Sequence, residues 1–257
     1  MAKTALITGA SSGIGRELAR QLSAKGFKVI LTARREDRLR ELAQELEGES
    51  VVIPCDLSRR EECIYLYEKV KEERIGVLVN NAGFGLLGDF TETELNDELR
   101  MIDTNITAPH ILTKLFLKDF VEADRGYILN VASSAGLLPG GPLMATYYAT
   151  KAYVTSLTSA IYGELEQKGS SVHISALCPG PVDTEFNDVA NARFSVKGIT
   201  PEYCAKRALE GLFTGELIIV PEKGLKLVAA AGSVVPRKLA VAVTGRMQSS
   251  KKPENNG

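Results

Sequence analysis

The sequence predicts a single-domain α/β protein, a doubly wound parallel sheet of about seven strands with helices on both faces. Two observations carry this. Short apolar, β-branched runs alternate with longer helical patterns almost to the end of the chain, as βαβ units require. These runs are apolar throughout rather than at every second residue, which marks strands covered on both faces. No Pro/Gly/Ser-rich linker and no internal repeat divides the 257 residues.

The strand candidates, in order, are TALITG from Thr4, KVILTAR from Lys28, SVVIPCD from Ser50 and GVLVNNAG from Gly76. GYILNVAS from Gly126, VHISALCPG from Val172 and ELIIVP from Glu216 complete the set. Between them lie the helical patterns GIGRELARQLSAKG, REDRLRELAQELEG and REECIYLYEKVKEE, then a long stretch from Glu94 to Glu122. Another runs from Tyr147 to Lys168, and PEYCAKRALEGLF follows it. The apolar segment from Leu225 to Val243 is broken by Lys226, Pro236, Arg237 and Lys238, so it predicts two short helices rather than a membrane span. The last residues, 249–257, have the composition of a disordered tail.

Composition excludes several classes of function. A hydrophobic share of 44% supplies a large core, while a net charge of −1 leaves no basic surplus for nucleic acid or anionic lipid. The four cysteines form no metal-type spacing, and two separated histidines, His110 and His173, argue against zinc. MAKTALITGA enters the first strand without a signal-type leader, so reduced thiols in a cytoplasmic protein are expected.

In open parallel sheets ligands bind beyond the carboxyl ends of the strands. There the chain carries TGASSGIG, TARRE, CDL, NNAG, VASSAG and CPGPVDT. The first, residues 8–15, joins a strand to a helix through Gly9, Ser11, Ser12, Gly13, Ile14 and Gly15. Its glycines permit a tight turn and close backbone approach to a pyrophosphate at a helix N-terminus. No G-K-[ST] follows, so it is not a Walker loop.

TGASSGIG, NNAG, the serine-rich end of the fifth strand and a Y-x-x-x-K pattern, in this order over residues 8–184, resemble the short-chain dehydrogenase/reductase family in its single-domain, Rossmann-fold branch. The resemblance is weakest after residue 185. It implies an NAD(P)-dependent enzyme. It also implies an adenine contact from Asp56 and Leu57, a cofactor-side strand end at Asn81, Ala82 and Gly83, and a nicotinamide-side segment with Pro179, Gly180, Val182 and Thr184. Asn105 matches the family asparagine that holds a water chain to the lysine. Family members commonly pair through their long helices, which implies a homodimer or homotetramer.

The residues after the second strand bear on which cofactor is used. NAD enzymes place an acidic residue there for the ribose hydroxyls, whereas this chain has Ala33 and Arg34. A guanidinium suits the 2′-phosphate of NADP(H), the expected cofactor, with NAD(H) as the second.

Reducing a ketone requires a hydride on carbon and a proton on oxygen. ATYYATKAY, from Ala145, offers two tyrosines ahead of Lys151. At about 100° per residue, Tyr147 at i−4 comes nearer the lysine's face than Tyr148 at i−3. A lysine within about 4–6 Å is expected to lower the tyrosine pKa and, by resemblance, to grip the cofactor ribose. A serine should polarise the same oxygen. The family's S-x-x-G pattern, ending at Gly136, selects Ser133, while counting back from the tyrosine selects Ser134. LLPGGPLMAT carries one extra residue, which a loop takes more easily than a strand end, so Ser133 is the expected donor.

Around this centre FGLLG, GLLPGGPLM, Phe186, Val189, Phe194 and Val196 are apolar. They predict an acyl, steroid-like or aromatic carbonyl substrate under a lid spanning 185–248. The competing readings are a non-catalytic dinucleotide-binding module and a nucleotide-sugar epimerase or dehydratase. The first predicts a broken catalytic set, and the second a larger C-terminal region.

Overall fold

The computed structural model describes residues 3–186, 198–222, 224–225 and 235–249. Every strand candidate forms a strand: β1 (Thr4–Thr8), β2 (Lys28–Ala33), β3 (Ser50–Pro54), β4 (Ile75–Asn80), β5 (Gly126–Val131), β6 (Val172–Leu177) and β7 (Ile218–Ile219). They pair in parallel in the order β3-β2-β1-β4-β5-β6-β7. The order reverses between β1 and β4, so the strand ends on either side open a crevice.

The helices are α1 (Gly13–Ala24), α2 (Glu36–Glu45), α3 (Arg60–Val70), α4 (Leu95–Ile102), α5 (Ala108–Glu122), α6 (Ala145–Gln167), α7 (Pro201–Phe213) and α8 (Arg237–Ser249). Helices α1, α2 and α7 cover one face of the sheet, where Ala5 and Ile7 of β1 meet Leu18, Leu42 and Leu209. Helices α3, α5 and α6 cover the other, where Leu6 meets Leu66, Phe116 and Leu165. Neighbouring residues of one strand thus enter opposite cores, which is why the strands are apolar without alternation. Of the two helices expected after Leu225, α8 is one; the other falls on residues 226–234, outside the described residues. Val189, Phe194, Val196 and residues 250–257 of the expected tail also lie outside them, while Ser249, its first residue, closes α8.

The helical stretch from Glu94 to Glu122 is not continuous. A π-helical turn over Asp103–Thr107 separates α4 from α5. Proline lacks the N–H that an α-helix would direct from position 109 to the carbonyl of Asn105. Pro109 sits in the first turn of α5, and the wider turn before it brings buried Asn105 toward the strand ends.

Beneath the site, a buried polar network ties the elements together. Asn80 Nδ2 donates to Thr113 Oγ1 at 3.0 Å and to Asn130 Oδ1 at 2.8 Å, and Asn130 Nδ2 donates to Thr158 Oγ1 at 2.9 Å. One residue from each of β4, α5, β5 and α6 takes part. Replacing Asn130 by Ala strips partners from Asn80 and Thr158 and opens a cavity. It should lower unfolding free energy by about 2–4 kcal/mol in urea denaturation.

Candidate active site

The first strand end builds a cradle of backbone. Gly9 and Gly13 have φ of 66° and 54°, values that strain any residue with a Cβ. A Cβ on Gly15 would lie 2.4 Å from the Gly9 carbonyl, and one on Gly9 would lie 2.8 Å from Asn81 Nδ2. Ser12 begins α1 in an extended conformation, with no side chain capping the first turn. That leaves the helix N-terminus open to an anionic group. Asn81 holds the loop in place by donating to the carbonyls of Thr8 and Gly9 at 3.0 and 3.1 Å. The amides of Asn81 and Ala82 in turn donate to Thr8 Oγ1.

Two arginines follow β2 beside this loop. Arg34 is exposed at the cavity edge, while Arg35 NH2 reaches Ser11 Oγ at 3.2 Å and Ser12 Oγ at 3.0 Å. Asp56 and Leu57 close the far side, with Asp56 Oδ1 accepting from the amide and hydroxyl of Ser58. A second acidic residue, which no sequence motif marks, supports the segment after β6: Glu222 accepts from the Gly180 amide at 3.1 Å. Val182 bridges to Ile199, and Thr184 packs beside Gly13.

At the other end, the four residues expected to perform chemistry converge. Ser133, just beyond β5, lies close enough to the Tyr147 phenol to oppose the effect of burial on it, and its hydroxyl accepts from the Ala135 amide at 3.1 Å. Ser134 instead starts a 3₁₀ turn, and its amide donates to the Pro179 carbonyl. The glycine of the S-x-x-G pattern has a steric role, because a Cβ on Gly136 would sit 2.5 Å from the Lys151 carbonyl. The serine loop can therefore lie directly on α6.

The two tyrosines part ways. The Tyr147 ring faces Phe186 and lies 5.8 Å from Lys151 Nζ, centroid to nitrogen. Tyr148 turns to α8, where its oxygen accepts from Gln248 Nε2 at 2.5 Å. Buried Lys151 donates to the Val131 carbonyl at 2.8 Å. Asn105 Nδ2 donates to the Phe84 carbonyl and to Thr150 Oγ1, and its Oδ1 accepts from the Phe84 amide. A Cβ on Gly83 would press on Asn105 Oδ1 at 2.9 Å and Lys151 Nζ at 3.4 Å.

The expectation that Lys151 lowers the tyrosine pKa is not met in this arrangement. Burial pushes the Tyr147 phenol up to about 12, against the smaller opposing effect of Ser133. Burial also pushes the Lys151 ammonium down to about 8. Desolvation outweighs attraction here because the ammonium is turned toward a carbonyl rather than the phenol oxygen. At neutral pH the phenol is protonated and the lysine still largely charged.

One cavity of about 780 Å³ joins the cradle to this centre. Beyond Tyr147 its wall is apolar, with Phe84, Leu138, Met144, Phe186, Val235 and Val243. Helix α8 forms one side, held by the Tyr148–Gln248 bond and by Thr244 Oγ1 donating to the Gly140 carbonyl at 2.7 Å. No helix among the described residues is long and apolar enough to cross a membrane. His110 pairs with Tyr153, and His173 stacks on Tyr127; neither lines the cavity.

Comparison with known proteins agrees with this geometry. A family model described as short chain dehydrogenase matches residues 3–194, and the chain belongs to that family. A 3-oxoacyl-[acyl-carrier-protein] reductase, FabG, of Rickettsia prowazekii is 33% identical over 193 residues, 74% of this chain and 77% of that protein. A Sphingobium yanoikuyae short-chain dehydrogenase in complex with NADPH superposes with a TM-score of 0.81 at 30% identity, covering 90% of this chain and 93% of that one. A Burkholderia phymatum relative in complex with NAD also gives 0.81, at 25% identity and coverage of 89% and 92%. The protein is thus an NAD(P)-dependent oxidoreductase of this family.

The buried ammonium has a cost for folding. Between about pH 8 and the ordinary lysine value of 10.5 the unfolded chain holds a proton that the folded chain has released. Stability from this group therefore rises with pH across that window and is at its least below it. Lys151→Met should raise unfolding free energy at pH 7 by about 1–3 kcal/mol. The gain should shrink as pH rises toward about 10, as measured by chemical denaturation across pH.

Proposed function

We propose that the protein interconverts a ketone and a secondary alcohol on an apolar substrate, an acyl, steroid-like or aromatic carbonyl, with NADP(H) preferred and NAD(H) accepted. The observation that carries this reading is the Tyr147 phenol, beside Ser133 and one helical turn from Lys151, between a glycine cradle and an apolar chamber. The glycine cradle, Asn81, Ala82, Gly83, Asp56, Leu57 and the 179–184 segment would hold the cofactor, which supplies the hydride when bound.

In reduction, the Ser133 hydroxyl donates to the substrate oxygen and Tyr147 delivers its proton there, a role its protonated state at neutral pH suits. The Lys151 charge favours the phenolate that remains, and low dielectric strengthens that attraction. Asn105 braces the Gly83–Phe84 turn against α6 and keeps the lysine in place. The intact set favours an enzyme over a binding module. The apolar wall and the acyl reductase among the relatives support an apolar substrate.

Arg35, with Arg34 at the rim, supports the NADP(H) preference, since a guanidinium beside Ser11 and Ser12 matches a 2′-phosphate. An NADP(H) preference leans the reaction toward reduction. We place the enzyme in the cytoplasm as a homodimer or homotetramer, with residues 185–248 as its substrate lid.

Screening aliphatic, steroidal and sugar carbonyls with NADPH tests the substrate class, and a strict preference for polar sugars would refute the apolar chamber. With an accepted ketone, Tyr147→Phe and Ser133→Ala should each lower kcat at least about a hundredfold. Tyr148→Phe and Ser134→Ala should cost far less. Arg35→Ala should weaken NADPH binding about tenfold or more while changing NADH binding little. Fluorescence titration of the two cofactors measures this.

A further inference from the structure

The three residues after Asp183 each touch a different part of the site. Thr184 packs on the glycine cradle, where a Cβ on Gly13 would meet its Cγ2 at 3.0 Å. Phe186 packs against Tyr147, with ring centroids 5.5 Å apart. Between them, Glu185 reaches the arginines beyond β2. Its Oε2 accepts from Arg35 NH1 at 2.9 Å, and its Oε1 accepts from Arg38 NH1. The same Arg35 side chain holds Ser11 and Ser12 through its other terminal nitrogen. Glu185, Arg34 and Arg35 all line the cavity.

We infer that Glu185 is a cofactor-discriminating residue: its carboxylate serves the ribose 2′-hydroxyl of NAD(H) and competes with the 2′-phosphate of NADP(H) for Arg35 and Arg38. This rests on the reading of the Arg35 corner as the adenosine-ribose seat.

The chemistry follows from charge. A carboxylate accepts from a hydroxyl but repels a phosphate. The chain has no acidic residue directly after β2, where NAD enzymes place one. Glu185 brings a carboxylate to that corner from the segment after β6 instead. The two guanidiniums hold Glu185 below the usual carboxylate range, so it stays charged through neutral pH. The carboxylate offsets one of the two positive charges it touches. The corner therefore keeps a cation for the phosphate and an anion for the hydroxyl, a combination that admits both cofactors. The Glu185, Arg35 and Arg38 side chains are 41%, 41% and 38% exposed. Ion pairs this wet contribute little to folding. Exposure also leaves the carboxylate free to swing aside when a phosphate takes its partners.

The test is Glu185→Gln, with Glu185→Ala beside it, in full-length protein. Dissociation constants for NADPH, NADH, 2′-AMP and 5′-AMP are read by fluorescence and calorimetry at low and physiological salt. Removing the carboxylate should tighten NADPH and 2′-AMP about three- to tenfold at low salt and weaken NADH by a similar factor. The NADPH gain should shrink at higher salt. Unchanged constants, or a shift of both cofactors in the same direction, would overturn the inference. The wild-type ratio of NADH to NADPH affinity separately tests the NADP(H) preference. A wild type that prefers NADH would refute that preference, while the opposed shifts would still decide the role of Glu185.

Discussion

A single ammonium group, taken out of water at the carboxyl end of β5, constrains much of what surrounds it. Lys151 has the Val131 carbonyl as its hydrogen-bond acceptor, and burial brings its pKa down to about 8. A charge so placed needs close, polar and unyielding neighbours. Gly83 and Gly136 lack side chains where a Cβ would press on Lys151 itself. Asn105 leaves regular helical geometry to bond both the turn beside the lysine and the helix that carries it. The Asn80–Thr113–Asn130–Thr158 network stiffens the floor below. These features serve one requirement, a cation held near a phenol inside protein.

The fold was legible because its signal is local. Every strand candidate becomes a strand, each ending at or before the polar residues that close its run, since burial on both faces leaves an unbroken apolar signature. The nearness of Tyr147 to Lys151 was legible for a related reason: four residues along a helix is a fixed geometry. Other features were opaque because they depend on distant partners or on the path of a loop. Ser133 and Ser134 are adjacent, and only the tertiary contact with Tyr147 separates them. Tyr148 finds Gln248, 100 residues away, which no window of sequence connects. The π turn was hidden within a helical pattern, although Pro109 marked the place.

The arginines after β2 show a subtler limit. One residue decides whether a side chain faces solvent or the cradle, and the strand's end sets that phase. The sequence pointed to Arg34; in the structure it is Arg35, at the threshold of α2, that reaches Ser11 and Ser12. The titrating groups behave in a parallel way. Proximity between a lysine and a tyrosine does not by itself depress the phenol, because the same burial that brings them together penalises both charges.

Helix α8 lies apart from this machinery in the chain but not in space. The residues of the cradle and the catalytic centre all precede 185, and the matched family segment ends at 194. The wall formed by Val235, Ala240 and Val243 comes afterwards, joined to the rest through Thr244 and Gln248. One side of the chamber is therefore written in a later stretch of the gene than the cradle, while Phe84, Leu138 and Met144 complete the wall from the earlier one. Changes in the last stretch can reshape that side of the wall while Ser133, Tyr147 and Lys151 stay untouched, so the chamber can drift in shape without its polar centre being rebuilt.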